Sequence, residues 1–138
     1  MVIPIFFIIF ANMGTITILL LMILCHIIDD FVFQPICLSK LKQKNWWKKQ
    51  EEYNELYQND YKAALAIHSM SWSIMVLVPI IFLTEASQIG ILFMFSLNTI
   101  IHYVTDDAKA NKKKINLATD QTIHFLQILM AWSLSWNF

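Results

Sequence analysis

The sequence predicts an all-α integral membrane protein, a bundle of four main transmembrane helices. Three observations carry this expectation. The chain of 138 residues is 57% hydrophobic and only 14% charged, against roughly 25% charged in soluble domains. Its charges bunch between Lys40 and Lys62 and between Asp106 and Lys114, with long neutral stretches elsewhere. Glycine appears twice and proline three times, so the chain is neither collagen-like nor linker-like. An ion in hydrocarbon is costly, so a bilayer segregates charge in this way.

A helix needs about 20 apolar residues to cross a hydrocarbon layer of roughly 30 Å. The apolar run from Val2 to Ile28, continued to Gln34, is too long for one crossing, and Asn12-Met13-Gly14 offers a break. The first span is therefore expected at 15–34, closed by Pro35 because the residue before proline avoids the helical region. A short N-terminal hydrophobic helix over 2–11 would then lie on, re-enter or span the membrane. The second span is expected at 61–83, kinked at Pro79, and the third at 86–105. The fourth, 117–136, ends in Trp132 and Trp136, which suit an aromatic interface belt. Between the first two spans, the polar segment 36–60 carries Trp46-Trp47 among lysines. It reads either as an amphipathic helix lying at the interface or as a solvated helical loop.

All ten basic residues are lysines, and all but Lys62 fall in the loops 36–60 and 106–116. The Thr84–Glu85 connection has none. Both lysine-bearing loops share one side of an alternating bundle, and the lysine bias assigns that side to the cytoplasm of a multi-pass cell-membrane protein. Its partners are then the lipid bilayer and a lipid or amphiphile substrate. Balanced lysines and acids give no sign of a nucleic-acid surface. The start, Met1-Val-Ile-Pro, lacks the basic region of a signal peptide. Cys25 and Cys37 read as free, reduced thiols.

The polar residues inside the apolar runs are more telling. The four histidines, His26, His68, His102 and His124, fall one in each expected span. Three have an aspartate four residues away, as His26/Asp30, His102/Asp106 and Asp120/His124, and side chains four apart share a helix face. Gln34 and Asn98 extend these ladders. Counting 1.5 Å per residue, all four histidines lie about 5–12 Å from the lysine-bearing boundary. Polar groups at one depth must face the bundle interior and pair there.

One such pair alone would be a packing element. The full set suggests a divalent metal held by His26, Asp30, His68, His102, Asp106, Asp120 and His124, as bundle metal centres are built. Gln34, Asn98 and Gln121 would stand behind these ligands. Zinc is the foremost candidate, and manganese or iron fit the same donors. Asp30 or Asp120 would serve as the general base of a hydrolase whose nucleophile is water activated by the metal. Asp29, beside Asp30, leaves open which carboxylate faces the cluster. The competing expectation is a non-enzymatic membrane component, an ion or proton conduit or an accessory subunit with a structural His/Asp layer.

At these residues the chain resembles the uncharacterised prokaryotic and phage membrane proteins filed as domain of unknown function 3307. The resemblance rests on His26-Ile-Ile-Asp-Asp30-Phe31-Val-Phe-Gln34, on His68 early in the next hydrophobic helix, on His102-Tyr-Val-Thr-Asp106 and on Asp120-Gln121-Thr-Ile-His124. It covers residues 15–136 and implies no activity. More distantly the pattern is similar to membrane-bound metal-dependent hydrolases, which also array histidine and aspartate along transmembrane helices.

Overall fold

The computed structural model describes residues 5–34, 36–50 and 55–136, with side chains from Gly14 onward. Helix α1 (Ile5–Ile27) continues directly into a π-helical turn at Ile28–Phe33. Two short helices follow, α2 (Ile36–Leu41) and α3 (Lys44–Trp47), then a 3₁₀ turn at Glu55–Tyr57. The long helices α4 (Asp60–Leu83), α5 (Gln88–Ala110) and α6 (Leu117–Leu134) complete the chain. Among the described residues there is no strand, so the all-α expectation holds.

Three details correct the sequence reading. First, α1 runs unbroken through Asn12-Met13-Gly14, so no separate N-terminal helix forms within the described residues; positions 2–4 lie outside them. Glycine in a helix costs about 1 kcal/mol, less than leaving backbone groups unpaired in an apolar setting. Second, α5 extends to Ala110 and carries Asp106 and Asp107 within the helix. Third, among the described residues the helices long and apolar enough to cross a membrane number three, within Gly14–Phe33, Glu55–Leu83 and Gln88–Ala110. The expected fourth span is not among them. Helix α6 has 18 residues and places Asp120, Gln121, His124 and Gln127 within that length, which lowers its apolarity below what a span requires.

The four long helices close into a bundle. Helix α1 packs on α4 and α6, and α5 packs on α4 and α6. One half of the interior is apolar: Ile18, Met22, Trp72, Val76, Leu77, Ile80, Met94, Ile128 and Ala131 form a continuous buried cluster. The other half is polar, with His26, His68, His102, His124, Asp29, Asp106 and Asp120 all buried. Outside, the pattern reverses. Leu20, Leu24, Phe31, Ile67, Ile89, Leu92, Ile100 and Leu126 are exposed, an apolar rind that suits contact with lipid.

Short polar contacts fix the turns. The Ser87 hydroxyl accepts from the Gly90 amide at 3.1 Å and caps α5. The Asn116 side chain accepts from the Thr119 amide at 2.9 Å and caps α6. Removing such a cap costs about 1 kcal/mol. Between α1 and α4, the Trp47 indole donates to the Leu41 carbonyl at 2.8 Å and its ring stacks on Tyr57. This folds the lysine-rich segment into a compact layer over one end of the bundle.

Both lysine-bearing connections meet at that end, because the Lys44 amide donates to the Asn111 side chain at 2.7 Å. In a variant lacking Cys25 and Cys37, single cysteines at Lys48 and Lys113 are therefore expected to react with a membrane-impermeant maleimide from the same side of sealed vesicles. Labelling from opposite sides would refute this arrangement.

Candidate metal centre

The polar layer is assembled from five elements. The π-helical turn supplies Asp29 and Asp30, α4 supplies His68, α5 supplies His102 and Asp106, and α6 supplies Asp120 and His124. His26 enters from the last turn of α1. A π turn holds more residues than an α turn and occurs often at functional sites. Here it lets two adjacent carboxylates reach one histidine. Asp30 Oδ1 is 3.3 Å from His68 Nε2, and Asp29 Oδ2 is 3.8 Å from His68 Nδ1. Asp29 also accepts from the Ser71 hydroxyl at 2.9 Å. Both aspartates face the cluster, which resolves the ambiguity in the sequence.

Asp106 is the hub. Its Oδ1 lies 3.7 Å from His124 Nε2 and 3.8 Å from His102 Nε2, and its Oδ2 lies 3.6 Å from His68 Nε2. Asp120 Oδ1 is 3.6 Å from His124 Nε2. Two sets of groups have ligand atoms within 4.8 Å of one another and could hold a metal ion: Asp30, His68 and His102, and His102, Asp106 and His124. His102 belongs to both sets. Its ring stacks on Trp72, at 4.3 Å, and on His124, at 4.1 Å, and these two are in turn 5.4 Å apart, so the three rings pack as one cluster.

Among the described residues, His68 Nε2, both His102 ring nitrogens, His124 Nε2 and Asp120 Oδ1 are buried without a hydrogen-bond partner. Buried polar atoms are normally paired, so a concentration of unpaired ones needs an explanation. His124 shows how one arises. Its Nδ1 meets Gln127 Oε1 at 3.2 Å, while the Gln127 amide nitrogen donates to the Asn98 carbonyl at 2.9 Å and to the Asn98 side chain at 3.3 Å. The amide oxygen can only accept, so Nδ1 carries the proton and, in the neutral ring, Nε2 presents its lone pair to the cluster. That is the arrangement found behind metal-bound histidines.

His26 is placed differently. The Trp72 indole, which can only donate, gives its hydrogen to His26 Nδ1 at 2.8 Å. His26 Nε2 then donates to Gln121 Oε1 at 3.1 Å. Both ring nitrogens are engaged, and His26 lies in neither ligand set. Gln121 continues the network, donating to Asp30 Oδ2 at 3.3 Å and Asp120 Oδ2 at 3.2 Å. Gln34, with its amide turned to satisfy its neighbours, donates to the Asp30 carbonyl at 3.1 Å and accepts from Lys42.

Two lysines enter that the sequence reading did not single out. Lys42 is buried and donates to Asp106 Oδ2 at 2.5 Å. Lys109 donates to Asp120 Oδ2 at 2.5 Å. Asn111 holds Lys42 in place, donating to its carbonyl at 3.1 Å. Beyond α5, Lys112 pairs with Asp107 at 2.7 Å, and this hydrogen bond raises its ammonium pKa above the usual lysine value. A cavity of about 290 Å³ at the lysine-bearing end is lined by Gln34, Ser39, Lys42, Gln43, Asp106, Lys109 and Ala110, and so touches the cluster at Asp106.

Fold and site together define an all-α bundle, built around helices apolar enough to span a membrane, with a buried His/Asp cluster that could bind a metal ion. The chain belongs to the family described as "Protein of unknown function (DUF3307)", which matches residues 18–138. No curated protein and no solved structure matches it.

Two substitutions test the network. Trp72→Phe keeps the ring but leaves His26 Nδ1 without its donor, and is expected to lower stability by about 1–3 kcal/mol in a thermal melt of the detergent-solubilised protein. Asn111→Ala is expected to release the 36–50 segment, read as faster proteolytic cleavage within it while α4–α6 stay protected.

Proposed function

We propose that this chain is a membrane-embedded metalloprotein that holds a divalent cation among His68, His102, His124, Asp30 and Asp106. We further propose that it acts as a hydrolase on a lipid or amphiphile reached from the cytoplasmic leaflet. The observation that carries the metal reading is the convergence of buried imidazole nitrogens that have no hydrogen-bond partner on carboxylates within ligand reach. Charge supports it. Four carboxylates, Asp29, Asp30, Asp106 and Asp120, face two ammonium groups, Lys42 and Lys109. With neutral imidazoles, two negative charges remain, which is what one divalent ion cancels.

Imidazole and carboxylate donors favour zinc, with manganese or iron as alternatives. When bound, such an ion supplies Lewis acidity and lowers the pKa of water. Asp120 is the candidate general base, because it touches His124 yet stands outside both ligand sets. Asp30 belongs to a ligand set and is assigned to the metal. His26 has no bare nitrogen and orients Gln121.

The hydrolase reading draws support from the position of the cluster at the end of the bundle, beside a polar cavity. A proton wire would need polar groups across the membrane thickness, whereas the other half of this interior is filled by Ile18, Met22, Val76, Ile80 and Met94.

Purified protein is expected to contain stoichiometric divalent metal by elemental analysis, and chelation should lower its melting temperature. His102→Ala, which removes the group common to both sets, should abolish metal retention. Gln127→Ala, which frees the His124 tautomer, should weaken metal affinity by about 10–100-fold. Asp120→Asn should retain the metal. Metal-free wild-type protein whose melting ignores both chelator and His102→Ala would overturn the proposal.

A further inference from the structure

We infer that the polar layer seats two divalent cations, bridged by the Asp106 carboxylate, rather than one. This rests on the metal reading above and deepens it, dividing the five groups assigned there between two adjacent seats.

The donors fall into two sets, Asp30, His68 and His102 on one side and His102, Asp106 and His124 on the other. Asp106 joins them, because its two oxygens face different imidazoles. Its Oδ1 lies 3.7 Å from His124 Nε2 and 3.8 Å from His102 Nε2. Its Oδ2 lies 3.6 Å from His68 Nε2, which is itself 3.3 Å from Asp30 Oδ1. With His102 Nε2 on the Oδ1 side, one seat is formed by His102, His124 and Asp106 Oδ1. The other is formed by His68, Asp30 and Asp106 Oδ2. Inward-facing carboxylates and histidines of helical bundles hold paired ions in the same manner, and ions so paired are about 3.5–4 Å apart.

These contacts suit coordination better than hydrogen bonding. The rings of His68, His102 and His124 are at most 2% exposed, and their Nε2 atoms have no hydrogen-bond partner. Donors about 2.0–2.2 Å from one tetrahedral ion lie about 3.3–3.6 Å from each other. The four spacings extend at most about 0.2 Å beyond that edge, and all are longer than a usual hydrogen bond. Lys42 also donates to Oδ2. An ionised carboxylate oxygen has two lone pairs, one for the ammonium and one for an ion.

Charge ranks the seats. The first divalent ion cancels the two surplus negative charges of the layer. The second then enters a layer without net charge and is held more weakly. The seat of His102 and His124 fills first, because Lys42 donates to the Asp106 oxygen that belongs to the other seat.

The test uses the metal-stripped full chain in a neutral maltoside detergent, titrated with Mn²⁺. Bound metal is counted by elemental analysis after equilibrium dialysis, and the ions are observed by electron paramagnetic resonance. Zn²⁺ uptake is counted in parallel and should also reach two ions per chain. Wild type should take up Mn²⁺ in two steps, the first ion giving the six-line spectrum of isolated Mn²⁺. The second should abolish that spectrum through exchange coupling across Asp106. Asp30→Asn and His68→Gln alter the weaker seat from different helices, so one checks the other if either disturbs the fold. Each should stop at one ion and keep the six-line spectrum.

Saturation of the wild type at one ion in both titrations, or two ions that stay uncoupled, overturns the second seat and leaves a single metal centre standing. A coupled pair that persists in both variants overturns it as well. Wild type that binds neither Mn²⁺ nor Zn²⁺ removes the metal reading, and the second seat with it.

Discussion

Buried carboxylates must be neutralised, and the lysine-bearing end of this bundle is organised by that requirement. Asp106 and Asp120 sit on α5 and α6, flanked by helices whose outer faces are apolar. An unpaired charge in that position costs several kilocalories. The chain meets the demand from two directions. Imidazoles approach from below, inside the bundle, and ammonium groups approach from above. The loop after α1 therefore does more than join two helices. It turns back over the bundle, is tied to the end of α5 through Asn111, and delivers Lys42 to Asp106. The shape of a connection is set by the charge beneath it.

The same demand divides the interior into two halves with different mechanical character. Large apolar side chains interlock below the layer and hold the helices at fixed spacing, as close-packed cores do. Trp72 belongs to both halves, since its ring packs among apolar side chains while its indole hydrogen is given to His26. The packing of His102 with Trp72 and His124 carries that rigidity into the polar layer. The rings of His102 and His124 are thus positioned by packing, and the tautomers of His26 and His124 by side-chain amides, so neither depends on a cation being present.

Much of this could be read from the sequence, because helical periodicity is a short-range rule. His26 with Asp30, His102 with Asp106 and Asp120 with His124 are each visible at four-residue spacing, and the clustering of all four elements follows from their common depth. Lys42 obeys no such rule. Its reach to Asp106 depends on how a polar connection folds back, which local spacing does not encode. Gln127 stands in an apolar run and resembles a tolerated surface glutamine until Asn98 is seen beside it. The unbroken α1 was hidden for the opposite reason: Asn12 and Gly14 are local helix breakers, but the need to satisfy backbone groups acts over the whole segment. Helix α6 was read as a span because its apolar residues were counted without the polar face that it turns inward.

The π-helical turn at Ile28–Phe33 has an implication for how such a site can be gained or lost. Shortening this turn by one residue ahead of Asp29 would restore an ordinary α-helix, rotating everything beyond it by roughly 100° and turning both carboxylates away from His68. Nothing in α4, α5 or α6 would have to change, and the apolar packing lower in α1 precedes the turn. The acidic contribution of the first helix is therefore modular: a one-codon insertion or deletion can switch it while the scaffold persists. Within a lineage, the length of this stretch would separate members that keep the full complement of acids from those that keep only the bundle.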